Sequence, residues 1–221
     1  MTTASTPATK PPENPAALAP TRRGRPANPE VRSGILAAAL ELFADRGYDA
    51  TSVSEVVLRS GVTKGALYHY FASKEDLLYE IYRSHLDQQL NELDRILGAN
   101  DDPITSLHAV IKSLVVTTVT HMSEVTVFSR EMSKFSPERM AVMQADWRRY
   151  QDGVRDLIRL AQQDGALAAG TSPELASWMI FGFTNSLPLW YRTDGPKSPT
   201  QMADELSALV LAALQPTPSE G

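Results

Sequence analysis

Thr63, Lys64 and Gly65 open a short run on which Tyr68 and His69 return one turn later, with Lys74 just beyond. A hydroxyl, an ammonium, a bare backbone, a phenol and an imidazole at this spacing share one helix face. That set can meet phosphates and base edges in a major groove. Ser52 and Ser54 stand at the expected start of the preceding helix, where free N–H groups favour a phosphate. Lys74 is expected to be a further phosphate contact. Arg22, Arg23, Arg25 and Arg32 add four cations within eleven residues. On charge alone, these arginines fit an ordinary solvated surface equally well.

Other chemistries lack their parts. The 221 residues include no cysteine, which excludes disulfides, thiolate metal sites and thiol nucleophiles. The four histidines, 69, 85, 108 and 121, show neither an HExxH nor an i, i+4 pair, so no metal is expected. There is no G-x-S-x-G, no phosphate loop and no dinucleotide fingerprint. Glu124 and Glu131 share a helix face seven residues apart, yet no histidine has ligand spacing to them. An enzyme and a cofactor are therefore not expected. No apolar run approaching the ~18 residues of a membrane helix is evident. The start, Met1 to Pro20, lacks the apolar centre of a secretory signal, so the expected location is cytoplasmic.

The net charge of −5 hides a gradient. Residues 1–75 carry a net +2 and residues 76–221 a net −7. A mildly basic head on an acidic body suits a small module facing an anion and a larger one facing something else. An architectural DNA binder is the alternative class, and a sequence pI near 5.4 fits it badly.

The elements that position these residues are all helical. Prolines at 7, 11, 12, 15 and 20 mark an arm expected to be disordered, as is the tail 216–221. Asn28-Pro29 caps a first helix running to Arg46, with Ile35, Ala39, Leu42 and Phe43 inward. Ser52 and Glu55 have capping-box spacing for a second, and Thr63 opens a third through Tyr70. Ser60-Gly61-Val62-Thr63 between them is the tight turn of a helix-turn-helix. A long fourth helix from Ser73 places Leu86, Leu90, Leu93 and Leu97 on one stripe. Pro103, Pro137, Pro173 and Pro199 start further helices, with a short one at 124–134. About nine helices in an all-α fold result, divided at 25–73 and 74–215 with 1–24 as the arm.

Arg25 to Ile81 resembles the TetR family of transcriptional regulators. The residues that carry the likeness are Ile35, Ala38-Ala39, Leu42-Phe43, Gly47-Tyr48, Thr51-Ser52-Val53, Gly61-Val62-Thr63-Lys64-Gly65, Leu67-Tyr68-His69-Tyr70-Phe71 and Ser73 to Leu78. The resemblance implies a three-helix DNA-binding head and a helical body that senses a ligand and forms the dimer. It implies DNA contact at Thr63, Lys64, Gly65, Tyr68, His69 and Lys74. It shares Tyr70 between backbone contact and packing, and it matches Arg22, Arg23 and Arg25 to a minor-groove arm. Residues 124–214 loosely resemble the sensor domains of members that control fatty-acid, steroid or aromatic-acid degradation and respond to CoA thioesters.

In the body, Met122, Phe128, Met132, Met143 and Trp147 form a soft, bulky set that suits either a pocket for an apolar ligand or an ordinary core. With Arg130 and Trp190 they are the candidate ligand residues, and an acyl-CoA is the candidate effector. Trp178, Phe183, Leu187, Leu206, Leu209 and Val210 are the expected dimer interface. The expectation as a whole is a homodimeric repressor released from a pseudopalindromic operator by its effector, with the fourth helix as the connecting lever.

Overall fold

The computed structural model describes residues 28–99 and 101–216. Among the described residues there are nine α-helices and no strand. They are α1 (Pro29–Arg46), α2 (Val53–Ser60), α3 (Lys64–Tyr70), α4 (Lys74–Gly98), α5 (Pro103–Thr120), α6 (Met122–Glu131), α7 (Pro137–Gln163), α8 (Pro173–Trp190) and α9 (Pro199–Leu214). A single 3-10 turn, Met132–Lys134, joins α6 to α7.

Local chemistry sets most of these boundaries. Asn28, Thr63, Ser73, Asp102, Ser136, Ser172 and Ser198 each accept a hydrogen bond from a backbone N–H in the first turn that follows. Ser52 and Glu55 close a full capping box at α2. Gly61 takes φ 68° after α2, the left-handed conformation that lets the chain reverse tightly into α3.

α1, α2 and α3 form the head, and α4 runs from it into the body. One buried cluster crosses that junction. Ile35, Phe43, Val56, Leu67 and Phe71 of the head are continuous with Leu77, Leu78 and Ile81 of α4, and onward to Met143, Val154, Ile158 and Ile180. The α4 stripe holds as far as Leu93, while Leu97 emerges 39 % exposed. α5 is the centre of the body and packs on α4, α7, α8 and α9. Its 18 residues have a mean hydropathy of 1.2, so by length and composition it meets the requirement for a membrane span. This corrects the expectation that no apolar run comes close. Its apolarity serves a core position, with Leu107, Val110, Ile111, Leu114, Val115 and Val119 all buried.

A second, smaller cluster ties the end of α8 to α5 and α9 through Val115, Val119, Leu187, Tyr191, Ala203 and Leu206. α8 and α9 thus meet chiefly by packing on α5.

Candidate nucleic-acid interface and internal cavity

The α3 face is assembled as its spacing predicts. Leu67 is fully buried and anchors the helix, while Thr63, Lys64, Gly65, Tyr68 and His69 are all exposed. Thr63 also caps the helix, its Oγ1 accepting the Ala66 N–H at 3.1 Å. Tyr68 is 47 % exposed, which leaves its ring and hydroxyl open to a contact. The other cations of the head are mostly engaged with carboxylates. Arg59 pairs with Glu41, Arg46 with Glu55 at 3.1 Å, and Arg32 with Glu80. Lys64 has no such partner among the described residues, so its charge faces outward uncompensated.

Two candidate DNA residues, Lys74 and Ser52, are placed differently from the sequence expectation, and Tyr70 takes the packing part of its expected shared role. Lys74 donates from Nζ to the carbonyls of Tyr48 at 2.8 Å and Thr51 at 2.9 Å, and the ammonium lies 4.1 Å from the Tyr48 ring centroid. It therefore holds the α1–α2 connection in shape. Ser52 is exposed, but its hydroxyl donates to Glu55 Oε2 at 2.8 Å while accepting the Glu55 N–H. The carboxylate of Glu55, kept below its usual range chiefly by the Ser52 N–H, already supplies an anion at the α2 N-terminus. Tyr70 is half-buried, and its hydroxyl accepts the Asn28 N–H at 2.7 Å and donates to the Asn28 carbonyl at 3.3 Å, clipping α3 to the start of α1. Ser54 is exposed and makes no side-chain hydrogen bond among the described residues. Arg22, Arg23 and Arg25 lie outside the described residues.

The body holds a partly open cavity of about 330 Å³. Phe128, Met132 and Trp147 line it as expected. Four other candidates do not. Met143 is fully buried in the main core, and Met122 packs against the second cluster. Arg130 is exposed, and Trp190 sits 46 % exposed, its ring against Phe183 and its indole N–H on Ser186 Oγ at 3.1 Å. Tyr82 and His85 of α4, which the sequence offers as residues able to feel a ligand although core packing is their commoner role, also line it; the sequence leaves out the rest of the wall: Leu86 and Gln89 from α4, Leu114 and Thr118 from α5, Val125 and Ser129 from α6, Tyr150 and Gln151 from α7, and Phe181 and Asn185 from α8. Helical periodicity marks a face as inward, but an inward side chain meets either a neighbour or a void. The clue available was polar residues such as Gln89, Gln151 and Asn185 one turn from buried apolar ones.

Aromatic packing fixes one side of the cavity. Tyr82 stacks on Phe128, and the Trp147 indole N–H donates to Tyr82 Oη at 2.8 Å. Burial pushes the Tyr82 phenol up to about 12 and raises Tyr150 as well. Burial, with His121 adding a smaller effect, pushes His85 down to about 4.

α6 touches both sites. Val125, Phe128, Ser129 and Met132, on α6 and the 3-10 turn, line the cavity. At the end of the same helix, Glu131 Oε1 accepts the Tyr48 N–H at 3.2 Å, in the loop that leads to α2. Next to it, Lys134 pairs with Asp49. The start of α7 grips α4: the Ser136 N–H donates to Glu75 Oε1 at 3.1 Å, and Arg139 pairs with Asp76.

The expected dimer residues divide in two. Trp178 and Leu209 are 61 % and 64 % exposed, and Phe183 is half-buried. Leu187, Leu206 and Val210 are buried inside the chain's own core, so they cannot face a second copy. Their inward position follows from α5 lying beneath both helices. Leu175 and Met179 of α8 are further exposed apolar residues on this face, and of the two only Leu175 is absent from the apolar set that the sequence points to.

A helix-turn-helix head fused through one long helix to a cavity-bearing helical body defines a DNA-binding transcriptional regulator. The chain belongs to the tetR family. The model described as "Bacterial regulatory proteins, tetR family" matches residues 35–81, and "Tetracyclin repressor-like, C-terminal domain" matches residues 100–214, more than half of the chain. The HTH-type transcriptional repressor KstR2 of Mycolicibacterium smegmatis is 27% identical over 206 residues, covering 92% of this chain and 98% of that one. The fold is shared with the ketosteroid transcriptional regulator KstR2 of Mycobacterium tuberculosis, at a TM-score of 0.77 and 24% identity over 84% of this chain and 95% of that one. AibR, solved in complex with isovaleryl coenzyme A and operator DNA, superposes with a TM-score of 0.70 at 27% identity, covering 81% of this chain and 96% of that one.

Proposed function

We propose that the chain is a homodimeric repressor that leaves its operator when a small molecule fills the body cavity. Two copies of α3 would present Thr63, Lys64, Gly65, Tyr68 and His69 to half-sites about 34–36 Å apart or at larger multiples, because one short helix reads only a few base pairs. Residues 25–73 act as the DNA-binding unit and 74–215 as the sensing and dimerising unit, with α4 crossing between them. The exposed faces of α8 and α9, centred on Trp178 and Leu209, supply the dimer contact. The regulated genes are those of fatty-acid or related catabolism, and the site of action is the cytoplasm. AibR's complex with isovaleryl coenzyme A and operator DNA supports an acyl-CoA-type effector.

One observation carries this reading: α6 is both a cavity wall and the partner of the Tyr48 N–H at the entrance to the helix-turn-helix. A ligand that displaces α6 changes the support of the head, and the ligand and the operator then favour different arrangements of the dimer. The test is operator affinity, by anisotropy on DNA selected from a random pool, with and without effector. The expected loss is about 5–150-fold. Operator affinity unchanged by every molecule that binds the pure chain contradicts it.

A further inference from the structure

The chain enters the head through a clip on α3. Tyr70, the last residue of that helix, accepts the Asn28 N–H at 2.7 Å and donates its hydroxyl proton to the Asn28 carbonyl at 3.3 Å. Both bonds fall on one residue, the N-cap of α1. The helix does not need them for its start. The Asn28 side chain already accepts the Glu30 N–H at 2.9 Å, and the Asn28 carbonyl already accepts the Arg32 N–H at 3.1 Å. One turn on, Arg32 lies over the Phe71 ring and pairs with Glu80, which ties α1 to the end of α3 and to α4. What the Tyr70 hydroxyl adds is control of the peptide that leads into Asn28.

The sequence ahead of that peptide is cationic. Of the arginines between 22 and 32, Arg32 is engaged by Glu80, while Arg22, Arg23 and Arg25 all precede the clip. No acidic residue stands between Glu13 and Glu30 to offset them. The other side of Tyr70 meets the recognition surface: its ring lies edge-on to that of His69, with centroids 5.2 Å apart. One side chain thus touches both the α3 face and the point from which the arginines depart. A chain spans at most about 3.3–3.6 Å per residue, so Arg25 is tethered within ~11 Å of Asn28 and Arg22 within ~22 Å. These reaches are comparable with the ~12 Å width of a major groove. The position of Asn28 therefore decides which part of a duplex docked on α3 the three charges can meet.

Resting on the reading of α3 as the recognition helix, we propose that Tyr70 is a positioning residue for DNA binding: by pinning Asn28 beside His69, it delivers Arg22, Arg23 and Arg25 to the duplex flanking the bases that α3 reads. The hydroxyl proton is engaged by Asn28, so Tyr70 acts through the arginines and not as a donor to phosphate. Pinning raises the effective concentration of the cations at that flank, and a tether released at Asn28 dilutes it. The gain is electrostatic and falls as salt rises.

The test compares the full chain with three variants on an operator selected from a random DNA pool, by anisotropy over a range of salt. They are Tyr70→Phe, which keeps the ring, a triple variant with Arg22→Ala, Arg23→Ala and Arg25→Ala, and the two combined. Tyr70→Phe should weaken operator binding about five- to tenfold and lower the salt slope by about one or more. The triple variant should lose more. Added to the triple variant, Tyr70→Phe should cost less than about twofold, because nothing remains to be positioned. A hydroxyl that only holds the head together would cost the same in both backgrounds and leave the salt slope alone. Equal losses in both backgrounds, an unchanged salt slope, or wild-type binding by either Tyr70→Phe or the triple variant overturns the proposal. Melting of each free protein is followed alongside, and a Tyr70→Phe loss that tracks lowered melting in both backgrounds overturns it as well. If operator binding persists while these differences fail, the positioning role alone is wrong; if no DNA sequence is selected, the reading of α3 fails and takes the proposal with it.

Discussion

The head and the body solve opposite problems with the same kind of element. In the head, most polar groups near the α1–α2–α3 junction are closed by a partner, several of them far off in the chain. Lys74 holds two carbonyls, Thr51 Oγ1 donates to the Gly47 carbonyl at 2.9 Å, and Tyr70 clips Asn28. In the body, Tyr82, His85 and Tyr150 line a cavity with bonds left unmade. A surface that must dock on a fixed helical lattice benefits from rigidity, whereas a sensor needs an unfilled site whose filling moves a helix. The two meet at α6, which belongs to the wall of one and the support of the other.

The largest expected effect comes from the head's anchor. Leu67→Ala removes a fully buried side chain and should cost about 2–5 kcal/mol in urea unfolding, with operator binding lost alongside. A small cost would mean that the head is less rigid than this comparison requires.

The next effect belongs to the body and depends on pH. His85 has a folded pKa pushed down to about 4 from an ordinary value of 6.5. Below 6.5 the unfolded chain takes up a proton that the folded one refuses until about pH 4, so stability falls as pH drops through that window. The contribution is on the order of 3 kcal/mol. Urea melts at pH 7.5 and pH 5 should show about 2 kcal/mol of this loss in the wild type and a flatter profile in His85→Gln; identical profiles would mean that the imidazole is not buried as described.

Trp178→Ala should weaken the dimer by about 2 kcal/mol or more, read as a shift in sedimentation, with little change in the stability of one chain. An unchanged sedimentation profile would remove Trp178 from the interface. Tyr68→Ala should lower operator affinity by about 1–3 kcal/mol with an unaltered melting temperature, because the ring is half exposed. A last pair of variants separates two lysines. Lys64→Ala should reduce the salt slope of operator binding by about one without loss of stability. Lys74→Ala should destabilise the head by about 1–3 kcal/mol, because two carbonyls lose their donor. The reverse pattern would restore Lys74 as a phosphate contact.

Much of the fold could be read from the chain because its signals are local. Ser or Asp before Pro starts α5, α7, α8 and α9, and Ser52 with Glu55 starts α2. The α3 face was legible for the same reason, since Leu67 and Tyr68 are adjacent residues with opposite fates. What failed was everything decided by a distant partner. Lys74 looks like a free cation until Tyr48 and Thr51 are folded against it, 26 and 23 residues away. Leu206 and Val210 look like a seam for a second copy until α5 is placed beneath them. The cavity draws on five helices, and Met143 misses it although Trp147 one turn later reaches it.

The link through α6 is tested most directly by a thermodynamic cycle that crosses ligand occupancy with one substitution. Operator affinity is measured with the cavity empty and occupied, in the wild type and in Glu131→Ala, using molecules already shown to bind the body. Occupancy should weaken operator binding at least fivefold in the wild type and distinctly less in the variant, where the Tyr48 N–H has lost its acceptor. An equal response in both proteins, or none in either, would contradict a head governed through α6.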